Sequence, residues 1–207
     1  MSKARFITLE GTEGAGKSTV ARFARDWLAQ RGISACLTRE PGGTPLAERV
    51  RAIVLEPGGE PIPPEAETLL MFAARSIHLA SLVRPALARG EWVICDRFTD
   101  ATRAYQGGAR GVSSALIEQV AAAVHGDLEP DLTLLLDLPV AEGLRRARSR
   151  AEATDRFEQE REGFFERVRQ AYLDLARREP RRIRVIDASR PLEAVQREVA
   201  AAMEALL

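Results

Sequence analysis

The sequence predicts an α/β domain in which helices cover both faces of a parallel β-sheet. Short apolar runs alternate with longer segments of helical periodicity, and no linker-like stretch divides the 207 residues. Apolar strands separated by helices are typical of parallel sheets that are buried on both sides. We therefore expect a single domain that spans residues 1–207.

The apolar runs give the predicted strands, which are 5–10, 34–39, 92–96, 132–138 and 182–188. In the first helical segment, Val20, Trp27 and Leu28 recur on one face, and Gly32 ends the helix. The segment FTDATRAYQGGARG (98–111) is predicted as a loop. The predicted helical segments are 17–31, 45–56, 65–90 with a bend near Pro85, a helix after Ser113, an Arg-rich helix-and-loop stretch from 140 to about 156, 158–178 and 191–206.

The composition limits the partners and the compartment. The 30 basic and 30 acidic residues cancel, so no net field directs the chain to nucleic acid or to a membrane surface. Cys36 and Cys95 are too few for a disulfide framework or a metal cluster, which favours buried thiols in a reducing compartment. No targeting segment precedes the first strand, and no run approaches the ~18 apolar residues of a membrane span. We expect a soluble, cytoplasmic protein.

Residues 11–18, GTEGAGKS, match the pattern G-x-x-x-x-G-K-[ST] between a predicted strand and a predicted helix. The glycines allow backbone N–H groups to converge on phosphates at a helix N-terminus. Lys17 is expected to reach the β- and γ-phosphates of a nucleoside triphosphate, and Ser18 is expected to bind Mg²⁺. The predicted triphosphate-binding residues are Gly11, Thr12, Glu13, Gly14, Ala15, Gly16, Lys17, Ser18 and Thr19.

Further polar and aromatic side chains are expected at the carboxyl ends of the strands, where the ligands of parallel sheets gather. Charged residues follow the second and third strands. The long helix adds an aromatic residue and an arginine on one face, and the segment after the third strand adds a tyrosine. The residues concerned are Arg39, Glu40, Met71, Phe72, Arg75, Asp96, Arg97, Thr102, Tyr105 and Gln106. Such a set suits a planar base, a sugar and a phosphate.

Several of these residues also have a simpler structural explanation. Met71 and Phe72 on an apolar helix are often core residues, and the Asp96-Arg97 pair is compatible with a solvated strand end. Arg75 is harder to explain in this way, because an arginine among apolar neighbours needs a partner. The residues alone thus indicate triphosphate binding and leave the phosphoryl acceptor open.

Six segments, in chain order, resemble the bacterial thymidylate kinase family: TLEGTEGAGKST, LTREPGGTPLAERVR, LLMFAARSIHL, CDRFTDATRAYQGGARG, PDLTLLLDLPVAEGLRRAR and DRFEQE. The resemblance covers essentially the whole chain. It implies the P-loop nucleoside monophosphate kinase fold with strand order 2-3-1-4-5, and a homodimer. It also implies transfer of the γ-phosphoryl group of ATP to dTMP, giving dTDP, with Mg²⁺ as cofactor.

The resemblance further implies how dTMP is bound. Arg39 would bind the acceptor phosphate, and Arg75 would donate to O4 of thymine. Phe72 would stack on the base, although Met71 occupies the position where many relatives carry the aromatic residue, so either could stack. Tyr105 would lie near C2′ of the sugar, and Glu13 would meet the 3′-hydroxyl group or its water. The implied dTMP-binding residues are Glu13, Arg39, Phe72, Arg75, Arg97, Thr102, Tyr105 and Gln106.

The catalytic assignments concern positive charge. The acceptor phosphate has its second pKa near ~6 and is already ionised at neutral pH, so no general base is required. By resemblance, Asp96 would hold the water shell of a Mg²⁺ ion on Ser18. The phosphate loop has no arginine, which some relatives place there, so an Arg-rich lid at about 145–156 would supply the charge, and adenine would lie against 188–191. The catalytic candidates are Lys17, Arg97, Arg148 and Arg150, and the lid also contains Arg146 and Arg156.

Two other functional classes remain as alternatives. A deoxynucleoside kinase phosphorylates a neutral hydroxyl group and needs a carboxylate base, whereas Arg39, Arg75 and Arg97 suit an anionic acceptor. A non-enzymatic nucleotide-binding switch needs no second nucleotide pocket. Tight binding of dTMP in the absence of ATP would count against such a switch.

Overall fold

A computed structural model describes residues 4–149, 156, 157 and 160–207. Within these ranges, five parallel strands form one sheet in the order β2-β3-β1-β4-β5. The strands are β1 (Phe6–Glu10), β2 (Ala35–Arg39), β3 (Trp92–Asp96), β4 (Leu132–Asp137) and β5 (Ile183–Asp187). The predicted fold class and strand order are confirmed.

Helices cover both faces of this sheet. The α-helices in the described ranges are α1 (Lys17–Ala29), α2 (Pro45–Leu55), α3 (Pro64–His78), α4 (Arg84–Ala88), α5 (Thr99–Thr102), α6 (Ser114–His125), α7 (Val140–Arg148), α8 (Glu162–Arg178) and α9 (Leu192–Glu204).

The predicted helix 65–90 is interrupted where the bend near Pro85 was expected. A π-helical segment, Leu79–Val83, joins α3 to α4. Its hydrogen-bond ladder is widened, because the N–H group of Arg84 bonds to the carbonyl of Leu79. The stretch Pro64–Ala88 is long and apolar enough to cross a membrane by composition, but half of its most apolar window is buried inside the protein, as in a core helix.

The prediction of a loop over 98–111 is wrong. This segment forms α5 and then a π-helical segment, Arg103–Ala109. Two adjacent glycines, typical of turns, here permit close packing, since a β-carbon on Gly108 would lie 2.5 Å from the Cβ atom of Ala171 in α8. The helical winding buries Thr102, Tyr105 and Gln106.

The strand register places charged residues at one edge of the sheet. Asp96 pairs with Leu9 of β1 on one side and with Arg39 of β2 on the other. Alternate residues of β1 face opposite sides. Leu9 belongs to the apolar core under α1 and α9, whereas Glu10 is buried on the other side, against α8. The carboxyl ends of β2, β3 and β1 therefore lie side by side at this end of the sheet.

Candidate active site

The phosphate loop leads from β1 directly into α1. Gly11, Gly14 and Gly16 have φ angles of 134°, 74° and 90°, a region that favours glycine. Lys17 lies across the loop, and its Nζ donates to the carbonyl oxygens of Gly11 and Thr12 at 3.2 Å each. Burial, together with nearby Arg97, lowers the pKa of Lys17. The ammonium group is therefore desolvated, which favours its interaction with a bound anion.

Helix α7 packs against the middle of this loop through a contact between glycines. A β-carbon on Gly14 would lie 2.0 Å from the carbonyl oxygen of Gly143, and one on Gly143 would lie 2.4 Å from the carbonyl oxygen of Glu13. Such distances leave no room for a side chain at either position. Gly143 is not among the residues predicted from the sequence, because its role depends on a contact between distant segments.

Arg97 follows β3 and turns its guanidinium group toward the phosphate loop. It has a φ of 72° and is the only non-glycine residue with a positive φ in the described ranges. Nη1 donates to the carbonyl of Gly11 at 3.1 Å, and Nη2 donates to Oε1 of Glu13 at 2.7 Å. Burial alone would lower the pKa of Arg97, but the carboxylate of Glu13 raises it well above its usual range.

Glu13 faces the interior of the site. Besides Arg97, Tyr105 contacts its Oε1, with the phenolic hydroxyl donating at 2.9 Å. The Arg97 guanidinium also lies 4.7 Å above the ring of Tyr105. The negative charge of Glu13 in this anion-binding loop is therefore balanced by Arg97, which follows β3.

Glu10, the last residue of β1, is buried near Arg97 and interacts with its charge. Its Oε1 accepts a hydrogen bond of 2.8 Å from the N–H group of Phe98, and Tyr172 donates to its Oε2 at 2.6 Å. Burial, with Asp100 adding to it, raises the pKa of Glu10 to about 8. Glu10 is not among the residues predicted from the sequence, although an acidic residue that ends an apolar strand beside the phosphate loop is a usable signal.

Asp96 and Ser18 both line the groove beside the phosphate loop. Oδ1 of Asp96 is buried and has no hydrogen-bond partner among the described residues. An unpaired carboxylate oxygen and a serine hydroxyl in the same groove are oxygen ligands of the kind that a hard divalent cation prefers.

We call the groove beside the phosphate loop the phosphate groove; its lining includes Lys17, Ser18, Asp96, Arg97 and Arg146. A second cavity continues from it toward α3. The two share Glu13, Glu40, Arg51 and Arg97. We call the second one the nucleotide cavity. Its remaining walls include Met71, Arg75, Ala101, Thr102, Tyr105, Gln106 and Phe157.

A chain of buried hydrogen bonds fixes Arg75 in the wall of this cavity. Its Nε donates to Oε2 of Glu40 at 2.6 Å, and its Nη2 donates to Oγ1 of Thr102 at 3.2 Å. The other oxygen of Glu40 lies 2.9 Å from Nδ1 of His78, whose Nε2 lies 2.7 Å from Oγ1 of Thr38. Nη1 of Arg75 is buried without a partner among the described residues, so it is available to a ligand.

Comparison with known proteins decides the family. The thymidylate kinase family model matches residues 9–199. The chain belongs to the thymidylate kinase family. A thymidylate kinase from Alkalilimnicola ehrlichii is 58% identical over 195 residues, which are 94% of this chain and 90% of that protein. One from Pseudomonas putida is 57% identical over 202 residues, covering 98% of this chain and 97% of that protein.

The solved structures agree with this result. The crystal structure of thymidylate kinase from Ehrlichia chaffeensis has a TM-score of 0.79 at 32% identity, and the match covers 97% of this chain and 98% of that one. The fold is that of the P-loop nucleoside monophosphate kinases. As a member of the family, the enzyme transfers a phosphoryl group from ATP to dTMP, giving dTDP and ADP.

The structure separates the two candidates for stacking on thymine. Phe72 is 1% exposed and packs in the core with Val112, Ile117 and Ala121. It lies under Arg75, whose guanidinium carbon is 4.7 Å from the Phe72 ring. Met71 lines the nucleotide cavity instead. The expectation that Phe72 faces the base therefore has to be corrected, because the helix turns it toward α6.

Two arginines border the phosphate groove from α2 and from the end of β2. Arg39 is exposed, and its Nη2 donates to Oε1 of Glu48 at 3.0 Å. Arg51 lines both cavities and donates to the carbonyl of Pro41 at 3.0 Å. Arg39 was predicted from the sequence, whereas Arg51 was not, although it lies on α2, the helix that follows the REPGGT segment.

The arginines assigned to the lid have different surroundings. Arg146 lines the phosphate groove, pairs with Glu142 and donates to the carbonyl of Ala188 at 3.2 Å. Arg148, the last residue of α7, is exposed and lines neither cavity in the described part of the chain. Arg156 pairs with Glu67 on α3. Arg150 and residues 151–155 of the predicted lid lie outside the described residues.

Proposed function

We propose that the enzyme binds the triphosphate of ATP in the phosphate groove and dTMP in the nucleotide cavity. The continuity of the two cavities at Glu13 and Arg97 is the observation that carries this proposal. With both ligands bound, the phosphate of dTMP would meet the γ-phosphoryl group of ATP where the phosphate groove joins the nucleotide cavity.

Catalysis would consist of positioning and charge neutralisation. The acceptor oxygen is already ionised, since a phosphate monoester has its second pKa near ~6. The barrier then arises mainly from bringing two polyanions together. Lys17 and Arg97 supply cationic groups at the loop, and Arg39 and Arg51 supply them on the acceptor side. Glu13 keeps Arg97 pointed toward the loop until a phosphate competes for it.

Mg²⁺ fits the groove as a cofactor. Ser18 and the unpaired Oδ1 of Asp96 would hold the ion or its water shell. When bound, the ion would neutralise charge on the donor phosphates. Asp96 would then gain the partner that it otherwise lacks.

The buried wall of the nucleotide cavity would recognise the acceptor nucleoside. Arg75 would donate Nη1 to O4 of thymine, Met71 rather than Phe72 would lie against the base, and Thr102 and Gln106 would complete that wall. Tyr105 would lie beside C2′ of the sugar, and Glu13 would accept from the 3′-hydroxyl group. For the lid, Arg146 is placed at the groove, and we retain Arg148 and Arg150 as candidates for contact with the transferring phosphoryl group on closure.

We further propose that the enzyme is a cytoplasmic homodimer. Leu46 and Ile53 of α2 and Leu69 of α3 are 51%, 55% and 52% exposed, respectively, on helices that pack against each other. An apolar surface of this kind suits a second copy of the chain. Light scattering at micromolar concentration should give twice the 22.7 kDa of one chain, and a mass of one chain would refute the dimer.

A coupled assay of ADP release tests the proposed function. The acceptors are dTMP, dUMP, dCMP, dGMP, the ribose form of TMP, and thymidine. We expect dTMP to give the highest kcat/KM. Thymidine as the preferred acceptor would indicate a nucleoside kinase, and ATP binding with no transfer to any acceptor would indicate a switch.

A further inference from the structure

Glu67 is a buried carboxylate on α3 whose two oxygens bind different partners. Its side chain is 1% exposed, and its Oε2 accepts a hydrogen bond from Arg156. Its Oε1 accepts a hydrogen bond of 2.7 Å from Nε2 of Gln106. Arg110 brings a second guanidinium group within 3.6 Å of Oε1 and is itself paired with Glu160 at 2.7 Å. The buried negative charge is therefore balanced by arginines.

The bond to Glu67 determines which end of the Gln106 amide faces the nucleotide cavity. A carboxylate has acceptors only, so the amide must turn its NH₂ group toward Glu67. Gln106 lines the cavity and is 1% exposed, which leaves little freedom for another arrangement. The side chain consequently presents its Oε1, an acceptor, to a ligand.

Arg75 supplies a donor on the same wall. Its buried Nη1 has no hydrogen-bond partner in the described part of the chain. The wall therefore combines a donor at Arg75 with an acceptor at Gln106. The edges of thymine and uracil carry an acceptor at O4 beside a donor at N3, whereas cytosine carries a donor at C4 beside an acceptor at N3.

We propose that Glu67 is a positioning residue that determines base specificity. By holding Gln106 with its amide oxygen toward the base, it makes the cavity accept a pyrimidine that has an N3–H group and reject cytosine. This inference rests on the proposed placement of dTMP beside Arg75 and Gln106. If Glu67 could also donate, the Gln106 amide could rotate and offer its NH₂ group to N3 of cytosine.

The substitution Glu67→Gln tests this directly, because it is nearly isosteric and its amide can either donate or accept. The ratio of kcat/KM for dTMP to that for dCMP should fall on the order of tenfold, as expected when a buried mismatch is relieved. The ratio for dTMP to dUMP should not change, because uracil presents the same edge as thymine. Glu160→Gln is the matched control. It also removes a carboxylate from Arg110 but lies outside the contact with Gln106, so both ratios should be retained.

Two further variants separate positioning from general stabilisation. In a Gln106→Leu background, Glu67→Gln should cause no additional change in the dTMP to dCMP ratio, because the group through which it acts is gone. Glu67→Asp keeps the charge beside Arg156 but shortens the side chain, so it should also lower the ratio. Folded Glu67→Gln and Glu67→Asp proteins with an unchanged ratio would overturn the inference. A wild-type enzyme that does not use dTMP would instead refute the proposed function.

Discussion

The phosphate end and the base end of the site are built in different ways. At the phosphate end, one continuous segment forms the loop and its lysine, since Lys17 bonds to carbonyl groups five and six residues away, and Arg97 completes this end from a distant segment. At the base end, the contacts join distant segments. Arg75 and Glu40 are 35 residues apart, and Gln106 and Glu67 are 39 apart.

This difference indicates a division of labour. Backbone N–H groups and a lysine attract any triphosphate, and they act on charge that develops during transfer. Buried side chains that hold one another in fixed orientations discriminate by leaving a wrong ligand unpaired. Changes at the phosphate end should therefore alter the rate, and changes at the base end should alter the choice of acceptor.

The largest effect is expected for Lys17→Ala. Removing a preorganised charge from the phosphate loop should lower kcat by at least ~100-fold, with a much smaller change in KM for dTMP. Steady-state kinetics with dTMP as the varied substrate measures both quantities. A kcat near that of the wild type would show that Lys17 does not serve the transition state.

A smaller loss of rate is expected for Gly143→Ala. The added methyl group would lie 2.4 Å from the carbonyl oxygen of Glu13, so α7 or the phosphate loop must shift. We expect kcat to fall about tenfold, as is common for small misplacements of reacting groups. Gly163→Ala is the matched control, because nothing lies within 4 Å of a β-carbon at that position of α8. If both variants behave alike, the contact between α7 and the loop does not matter for catalysis.

Glu13→Ala should lower the use of dTMP more than the use of its 3′-deoxy analogue. It releases Arg97 for every acceptor, but only dTMP loses a charge-assisted hydrogen bond at its 3′-hydroxyl group. The excess loss in kcat/KM for dTMP over 3′-deoxy-dTMP should correspond to roughly 1.5–3 kcal/mol. Comparing the two acceptors in the same assay gives this excess. Equal losses would mean that Glu13 acts on Arg97 and not on the sugar.

The change expected at Glu10 concerns stability and not catalysis. Its pKa is about 8 in the folded protein, against 4.5 for an ordinary glutamate side chain. The folded state therefore holds a proton that the unfolded state has released, so stability is lost as pH rises from about 4.5 to 8. The slope from this group should be on the order of 1 kcal/mol per pH unit, and Glu10→Gln should remove it. Urea unfolding at pH 6 and pH 8 measures the difference, and identical slopes for both proteins would contradict the shift.

The parts that could be predicted from the sequence are those set by local patterns. Apolar runs gave the strands, and the glycine spacing with Lys17 gave the phosphate loop. The orientation of Phe72 could not be predicted. A small rotation of the helix about its axis decides which of the adjacent Met71 and Phe72 faces the cavity, and that rotation is set by tertiary packing. Glu67 could not be predicted either, since its role depends on contacts with Gln106 and Arg156 from other segments. The prediction of a loop over 98–111 was wrong because glycine is common both in turns and where helices pack closely.

The dTMP to dCMP selectivity ratio, measured for Lys17→Ala and Arg75→Lys in the same assay, tests the proposed division of labour most directly. Lysine at position 75 keeps the charge near Glu40 but lacks the planar fork that holds Thr102 and offers Nη1 to the base. We predict that Lys17→Ala retains the wild-type ratio despite its large loss of rate. Arg75→Lys should lower the ratio by at least about tenfold. A ratio that collapses in Lys17→Ala, or one that persists in Arg75→Lys, would contradict the account.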